Sequence, residues 1–184
     1  MIEVIVVIYS GKFRVSSPFG QRVLFGKAEN HKGIDVVGIG DKHVCAVADG
    51  VVAVSTIITD PGNRTSQWGN YVRVDGDDGK KYYYCHLSVR LVSAGRRVAV
   101  GDHIGIEGST GLSTGSHCHF EVRLPSGVSV DPSRFLGIPN AIGEYGTDWR
   151  ARCKTRFGLS DGTLAYLDGY AYAADLYRKL GGAK

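Results

Sequence analysis

No apolar run in this sequence approaches the roughly 18–20 consecutive residues that a membrane-spanning helix needs. The opening stretch, MIEVIVVIYSG, is apolar from Ile2 to Ile8 but is interrupted by Glu3. It lacks the basic flank of a secretory signal and is read as a strand entering the domain. Cysteine is scarce. The four that occur (Cys45, Cys85, Cys118, Cys153) form no CxxC pair, so no paired-cysteine motif is present. Three of them fall in predicted strands among apolar neighbours. Buried, reduced thiols are expected rather than the two disulfides that four cysteines allow, which fits folding in a cytoplasm. Internal repeats and low-complexity segments are absent. There is no strong excess of charge either. A net +4 favours contact with an anionic polymer but falls short of a nucleic-acid signature. The glycine-rich stretch GIEGSTGLSTGS (105–116) lacks the Gly-Lys-Ser/Thr ending of a phosphate loop and precedes no helical pattern, so it is expected to border a cleft instead.

Glycine is what the chain has in abundance. Its 26 glycines against five prolines favour many tight turns and a mainly β fold. HVCAVADGVVAVS (43–55) reads as strand, Asp-Gly turn, strand; NYVRVDGDDGKKYYYCHL (70–87) and HCHFEVRLPSGVSVDP (117–132) read as hairpins. The closely spaced series is antiparallel, without βαβ alternation. After DPSRFLGIPNAIG (131–143) the pattern changes, and Leu164, Leu167, Tyr170, Ala171, Ala174 and Leu180 recur at helical spacing. Ser160 or Asp161 is placed to cap that helix, and Gly181 to stop it. The expected organisation is therefore a β domain over residues 1–137 and a small C-terminal helical extension over 138–184, either a separate module or a helix packed on the sheet.

Five residues with metal or acid–base chemistry lie in three β-like segments: His31 and Asp35 in HKGIDVV, His86 in YYYCHL, and His117 and His119 in HCHFEV. Residues two apart in a strand share a face. His117, His119 and Glu121 therefore share one face, while the apolar Cys118, Phe120 and Val122 mark the other as the core side. If HKGID is extended, His31, Gly33 and Asp35 also share a face. Around His86, alternation groups Tyr82, Tyr84 and His86 on one side, and Cys85 with Leu87 on the other. Two imidazoles, a further histidine and an aspartate can assemble a catalytic zinc site, with three protein ligands and one open position for a water whose pKa falls to about 7. Spacing alone does not say which of His86, His117 and His119 would bind. His43 and His103 carry no such pattern and are read as ordinary surface or core residues.

The ordered set SSPFGQR, HKGIDVV, GNYVRV, YYYCHL and GSHCHFEVR, ending in VDPSRFL, resembles the lysostaphin-type (LytM-type) zinc metallopeptidases over residues 14–136. The resemblance implies the antiparallel β-sheet groove of that family (the duplicated hybrid motif) and a peptidoglycan endopeptidase holding one zinc ion per chain. It implies zinc ligation by His31, Asp35 and His119. It gives His86 and His117 the work beside the metal, activating water or stabilising the oxyanion, without dividing those roles between them. The middle residue of HxH is commonly apolar in the family; here it is Cys118, which as a small core-facing thiol should pack there. The segment 56–70 is expected to wall the groove, with Trp68 contacting substrate or packed under its own loop. Some relatives have lost their ligands and bind the wall or activate amidases, a loss this sequence does not show. Peptidoglycan is the expected partner, with no nucleic acid and no membrane insertion. The missing signal and a weak likeness of the tail to extensions on phage-associated lysins suggest delivery by a phage particle, its tail components or host lysis.

Overall fold

Alternating burial decides the strands at the centre of the molecule. In the computed structural model, which describes residues 8–24, 26–58, 67–146, 154 and 157–168, β12 (Cys118–Arg123) buries Cys118, Phe120 and Val122 completely in the core. It lies between β8 (Lys81–Leu87) and β4 (Ile34–Gly38), antiparallel to both. Outward from β8 run β7 (Asn70–Gly76), β6 (Gly50–Ile57) and β10 (Arg97–Val98); outward from β4 runs β1 (Phe13–Ser17). The core beneath is aromatic and β-branched. Tyr84 and Phe120 pack with ring centroids 5.2 Å apart, Tyr82 stacks on Phe120 at 6.5 Å, and Val36, Val52, Val72 and Val74 are fully buried around them. Truncating a ring such as Phe120 to Ala costs about 3–5 kcal/mol in a site of this kind.

Two of the expected hairpins form. β7 turns into β8 through Asp77–Lys80, where Gly79 takes φ +79° and Asp78 accepts a bond from the Lys80 amide at 3.1 Å. β12 pairs with β13 (Ser129–Val130) across a turn with Gly127 at φ +86°. The third does not. β5 (His43–Cys45) pairs with β11 (His103–Ile106), which pairs with β9 (Val89–Arg90), whereas β6 belongs to the large sheet. The Asp49–Gly50 step is thus a corner between sheets. Asp49 ties it down by accepting the Val100 and Asp77 amides, through its side chain and its carbonyl respectively.

β2 (Gly20–Leu24) and β3 (Lys27–His31) form a separate hairpin that ends at the cleft. Most of the opening run read as a strand lies outside the described residues, although Ile8 and Tyr9 are fully buried. Cys45, Cys85 and Cys118 are buried and in no disulfide, as expected; Cys153 lies outside the described residues. After the short helix α1 (Ser133–Leu136), β14 (Gly143–Tyr145) pairs with β1, so the sheet takes in residues beyond the 137/138 boundary read from the sequence. Three residues are too few for alternation to show. Here the backbone pairing and the packing of Tyr145 on Phe13 (6.2 Å) make the strand. In α2 (Asp161–Asp168) the Ser160 hydroxyl accepts the Thr163 amide at 3.0 Å, which makes Ser160 the cap. Gly181 and the apolar positions beyond Leu167 lie outside the described residues. No helix among the described residues is long and apolar enough to cross a membrane.

Candidate metal centre

His31 ends β3, and the chain bends at Lys32–Gly33 before β4 begins, so HKGID is not one continuous strand. A Cβ at Gly33 would lie 2.4 Å from the Phe120 carbonyl and 2.9 Å from the His119 ring. Only glycine lets β3 turn so close to β12. The bend brings His31 beside Asp35, and the register of β4 on β12 sets Asp35 directly opposite His119. His31 Nε2, His119 Nδ1 and Asp35 Oδ1 then form a triangle with edges of 3.0, 2.9 and 3.2 Å.

The partners on the far side of each ring decide which nitrogen faces inward. His31 Nδ1 lies 2.8 Å from the Pro18 carbonyl, an acceptor only, so Nδ1 carries the proton and Nε2 presents its lone pair to the triangle. His119 Nε2 lies 3.2 Å from Glu121 Oε1, which claims the proton there and leaves Nδ1 inward. Asp35 divides its oxygens in the same way. Oδ1 faces the histidines and Oδ2 accepts from Arg22 at 3.0 Å. Carboxylate and carbonyl partners behind ligating histidines are the usual means of fixing a metal site.

Electrostatics agree with this arrangement. Burial opposes ionisation of Asp35, yet the His119 and His31 imidazoles packed against its carboxylate hold it far below the ordinary carboxylate range. Burial likewise opposes charge on His119, but the Asp35 and Glu121 carboxylates push it up to about 9. A centre that holds a proton this tightly favours positive charge at the triangle. Tetrahedral zinc bonds of ~2.0–2.1 Å set neighbouring ligand atoms roughly 3.3 Å apart, close to the edges found. His31, Asp35 and His119 are also the set of described residues whose donor atoms cluster within 4.8 Å for a metal. The donor set fits zinc.

His86 and His117 stand beside this triangle, their rings 4.8 Å apart. His86 Nδ1 donates to the Thr110 carbonyl at 2.8 Å and His117 Nδ1 to the Gly115 carbonyl at 2.8 Å, which leaves Nε2 of each on the cleft side. His117 Nε2 is 3.6 Å from Asp35 Oδ1. Burial first, then the nearby imidazoles, pull the His86 pKa down to about 4, so it is a neutral base at pH 7. The sequence pattern placed His86 on the face of Tyr82 and Tyr84, and the structure corrects this. The β7–β8 register slips between Asn70 and Val72, and His86 takes φ +63°, unusual for a residue with a side chain. The bulge turns His86 out of the core and into the cleft.

The cleft encloses about 580 Å³. The 105–116 segment borders it as expected, through Leu112, Ser113 and Thr114. Its glycines serve backbone contact. A Cβ on Gly111 would lie 2.4 Å from the Gly69 amide nitrogen, and one on Gly69 the same distance from the Thr110 carbonyl carbon. This close approach braces the Thr110 carbonyl that orients His86. Trp68 lines the cleft and packs on Tyr71 and Tyr83 at 5.2 Å each, while residues 59–66 of the segment expected to wall the groove lie outside the described residues. Sequence spacing gave no role to Glu121, Arg22 or Arg123. Only Glu121 left a signal, as the third residue of the HxH face.

Comparison with known proteins bears on these residues. The model described as Peptidase family M23 matches residues 29–132. The peptidoglycan DD-endopeptidase ShyC of Vibrio cholerae is 37% identical over 131 residues, 70% of this chain and 28% of the relative. The murein hydrolase activator NlpD of Salmonella typhimurium is 35% identical over 113 residues, 61% of this chain and 28% of the relative. Among solved structures, lysostaphin from Staphylococcus simulans aligns with TM-score 0.57 and 26% identity, over 68% of this chain and 49% of that one. The chain spans about a quarter of the length of the curated relatives it matches.

Proposed function

Since the chain belongs to peptidase family M23, we propose that it is a zinc-dependent endopeptidase that hydrolyses peptide bonds in bacterial peptidoglycan, in the stem peptide or the cross-bridge. One observation carries this reading: the His31–Asp35–His119 donor triangle opens into a cleft where two further histidines, His86 and His117, turn their Nε2 atoms inward. His31, Asp35 and His119 would hold the metal. Zinc when bound supplies Lewis-acid polarisation of the amide carbonyl and makes hydroxide available near neutral pH. His86 and His117 then handle the proton. One Nε2 accepts it as water attacks, and an imidazolium returns it to the leaving amine, with the charge on the carbonyl oxygen met by the same pair. Arg22 and Glu121 hold the ligating groups in place.

Replacing His31 or His119 with alanine should remove zinc from the purified protein and abolish fragment release from peptidoglycan. Lysis retained by either metal-free variant sinks the mechanism. Mass spectrometry of the released fragments identifies the bond. The match to a murein hydrolase activator favours a second reading, a wall-binding domain that stimulates an amidase without cutting. Zinc content near one per chain with turnover supports the enzyme; stimulation of an amidase with no turnover supports the activator. Delivery by a phage particle remains part of the proposal and is checked by searching purified virions for the protein.

A further inference from the structure

Among the described residues, three cationic side chains line the cleft: Arg22, Lys32 and Arg123. Two are committed. Arg22 is bound to Glu29 (2.5 Å), Asp35 (3.0 Å) and Ser17 (2.8 Å). Arg123 donates twice to Glu121 (2.7 and 2.6 Å) and lies over the rings of Tyr83 and Trp68. The described anions of the cleft, Glu29, Asp35 and Glu121, are the partners in these pairs. Lys32 is exposed and, among the described residues, makes no ion pair or hydrogen bond. Its base is fixed nonetheless. It occupies the bend between His31 and Gly33, and Gly33 is wedged against β12. A four-carbon stem on a rigid base, ending in a free ammonium group, stands next in sequence to a proposed zinc ligand.

Resting on the proposed peptidase reading, we infer that Lys32 is a specificity-determining residue, which reads a free carboxylate on the peptide residue next to the scissile bond. One residue of extended peptide advances ~3.3–3.6 Å, so a cation on the neighbour of His31 meets the substrate within a residue or two of the reacting amide. Among the described residues the other five charges of the cleft lining, Arg22, Arg123, Glu29, Asp35 and Glu121, are held in ion pairs with one another, so Lys32 is the cation left to discriminate. The substrate class is an anionic peptide, in preference to the same peptide with that carboxylate amidated.

The test uses the zinc-loaded full chain and two synthetic peptidoglycan peptides that differ only by carboxylate or carboxamide at the residue flanking the cleaved bond. Both turnover and equilibrium binding are measured. An ion pair in a half-open cleft gives about a fivefold preference for the carboxylate, expressed in KM and reduced by salt. Lys32→Gln should bring the ratio to about one, and Lys32→Glu should invert it. A purely structural loss lowers both substrates alike and leaves the ratio unchanged, which overturns the inference. So does equal use of the two peptides by the unmodified protein, with the peptidase reading intact. Binding preference without turnover, abolished by Lys32→Gln, upholds the inference while the peptidase reading fails. If neither peptide is bound or cut, both fall.

Discussion

Glu107 offers the sharpest test of how this site is held. Its carboxylate is buried outside the cleft, just after β11, and accepts four hydrogen bonds. The donors are the Gly38 amide (2.7 Å), the Tyr9 hydroxyl (2.7 Å), the Lys42 ammonium (2.9 Å) and the Ser116 hydroxyl (2.6 Å). One side chain thereby ties the end of β4 to the residue before His117, and so aligns the two strands that carry Asp35 and His119. Glu107→Ala strands the Gly38 amide and takes the carboxylate from Lys42, which keeps its bond to the Gly38 carbonyl, a loss of about 3–5 kcal/mol by analogy with other broken buried pairs. Glu107→Gln keeps the shape but turns an NH2 toward two of the donors, at about 2 kcal/mol. A chain of this size moves roughly 2–4 °C in Tm per kcal/mol, so the alanine variant should melt about 6–20 °C lower. Burial opposes ionisation of Glu107, but the bonds from Ser116, Lys42, Gly38 and Tyr9 outweigh it and lower its pKa. A carboxylate lowered in the folded state stabilises fully above its unfolded pKa of about 4.3 and loses that contribution as pH falls through the folded value. The gap between the native protein and Glu107→Gln should therefore be widest near pH 7 and close as pH drops below about 4. Thermal unfolding followed by circular dichroism in the presence of chelator measures this without metal linkage. A Tm shift under about 2 °C for the alanine variant, or a gap that ignores pH, refutes the reasoning.

Other consequences are as direct. Glu121→Ala removes the acceptor that fixes the His119 ring and should weaken zinc binding about 10–100-fold, read by competition with a chromophoric chelator. Arg22→Gln frees Asp35 Oδ2 and should weaken the same affinity about tenfold, with the fold unchanged by circular dichroism. His86→Gln should lower kcat about 10²–10⁴-fold while zinc content stays near one per chain. Because His86 titrates only near pH 4, any acid limb between pH 5 and 7 should keep its position in that variant's pH profile. Cys45, Cys85 and Cys118 are fully buried, and burial pushes the thiols of Cys85 and Cys118 up, so none of the three should react with Ellman's reagent until the protein is unfolded.

Much of this was written in local patterns. The period-two row Cys118-Phe120-Val122 placed the HxH histidines on the open face, and the Asp-Gly turn of 77–80 announced the β7–β8 hairpin. What failed depended on partners distant in sequence. Alternation cannot register a bulge, so it put His86 with Tyr82 and Tyr84. The slip that frees it arises in the pairing with β7 and in the contact of the Gly69 and Gly111 backbones. The Asp49–Gly50 step looks like a hairpin turn in letters. Only the competing pairings of β5 with β11 and of β6 with β7 make it a corner. Arg22 and Glu107 had no spacing signal because their roles are defined by groups 13 and 69 residues away.

The two histidines of HCH show why residue type and face do not suffice. Both lie on the same side of the chain, and both rings can ligate or carry a proton. Their division of labour follows from which nitrogen a neighbour has already taken. Glu121, two residues on, claims Nε2 of His119 and turns its Nδ1 toward Asp35 and His31. The Gly115 carbonyl, two residues back, claims Nδ1 of His117 and sends Nε2 to the cleft. Exchanging these partners would exchange the exposed nitrogens. Glu121 acts as a carboxylate that orients a buried ring, whereas a peptide carbonyl in a glycine-rich loop orients a ring at the cleft surface. The HCH segment therefore delivers two imidazoles to one face, and the groups on either side of it decide that His119 closes the donor triangle while His117 turns its Nε2 to the cleft.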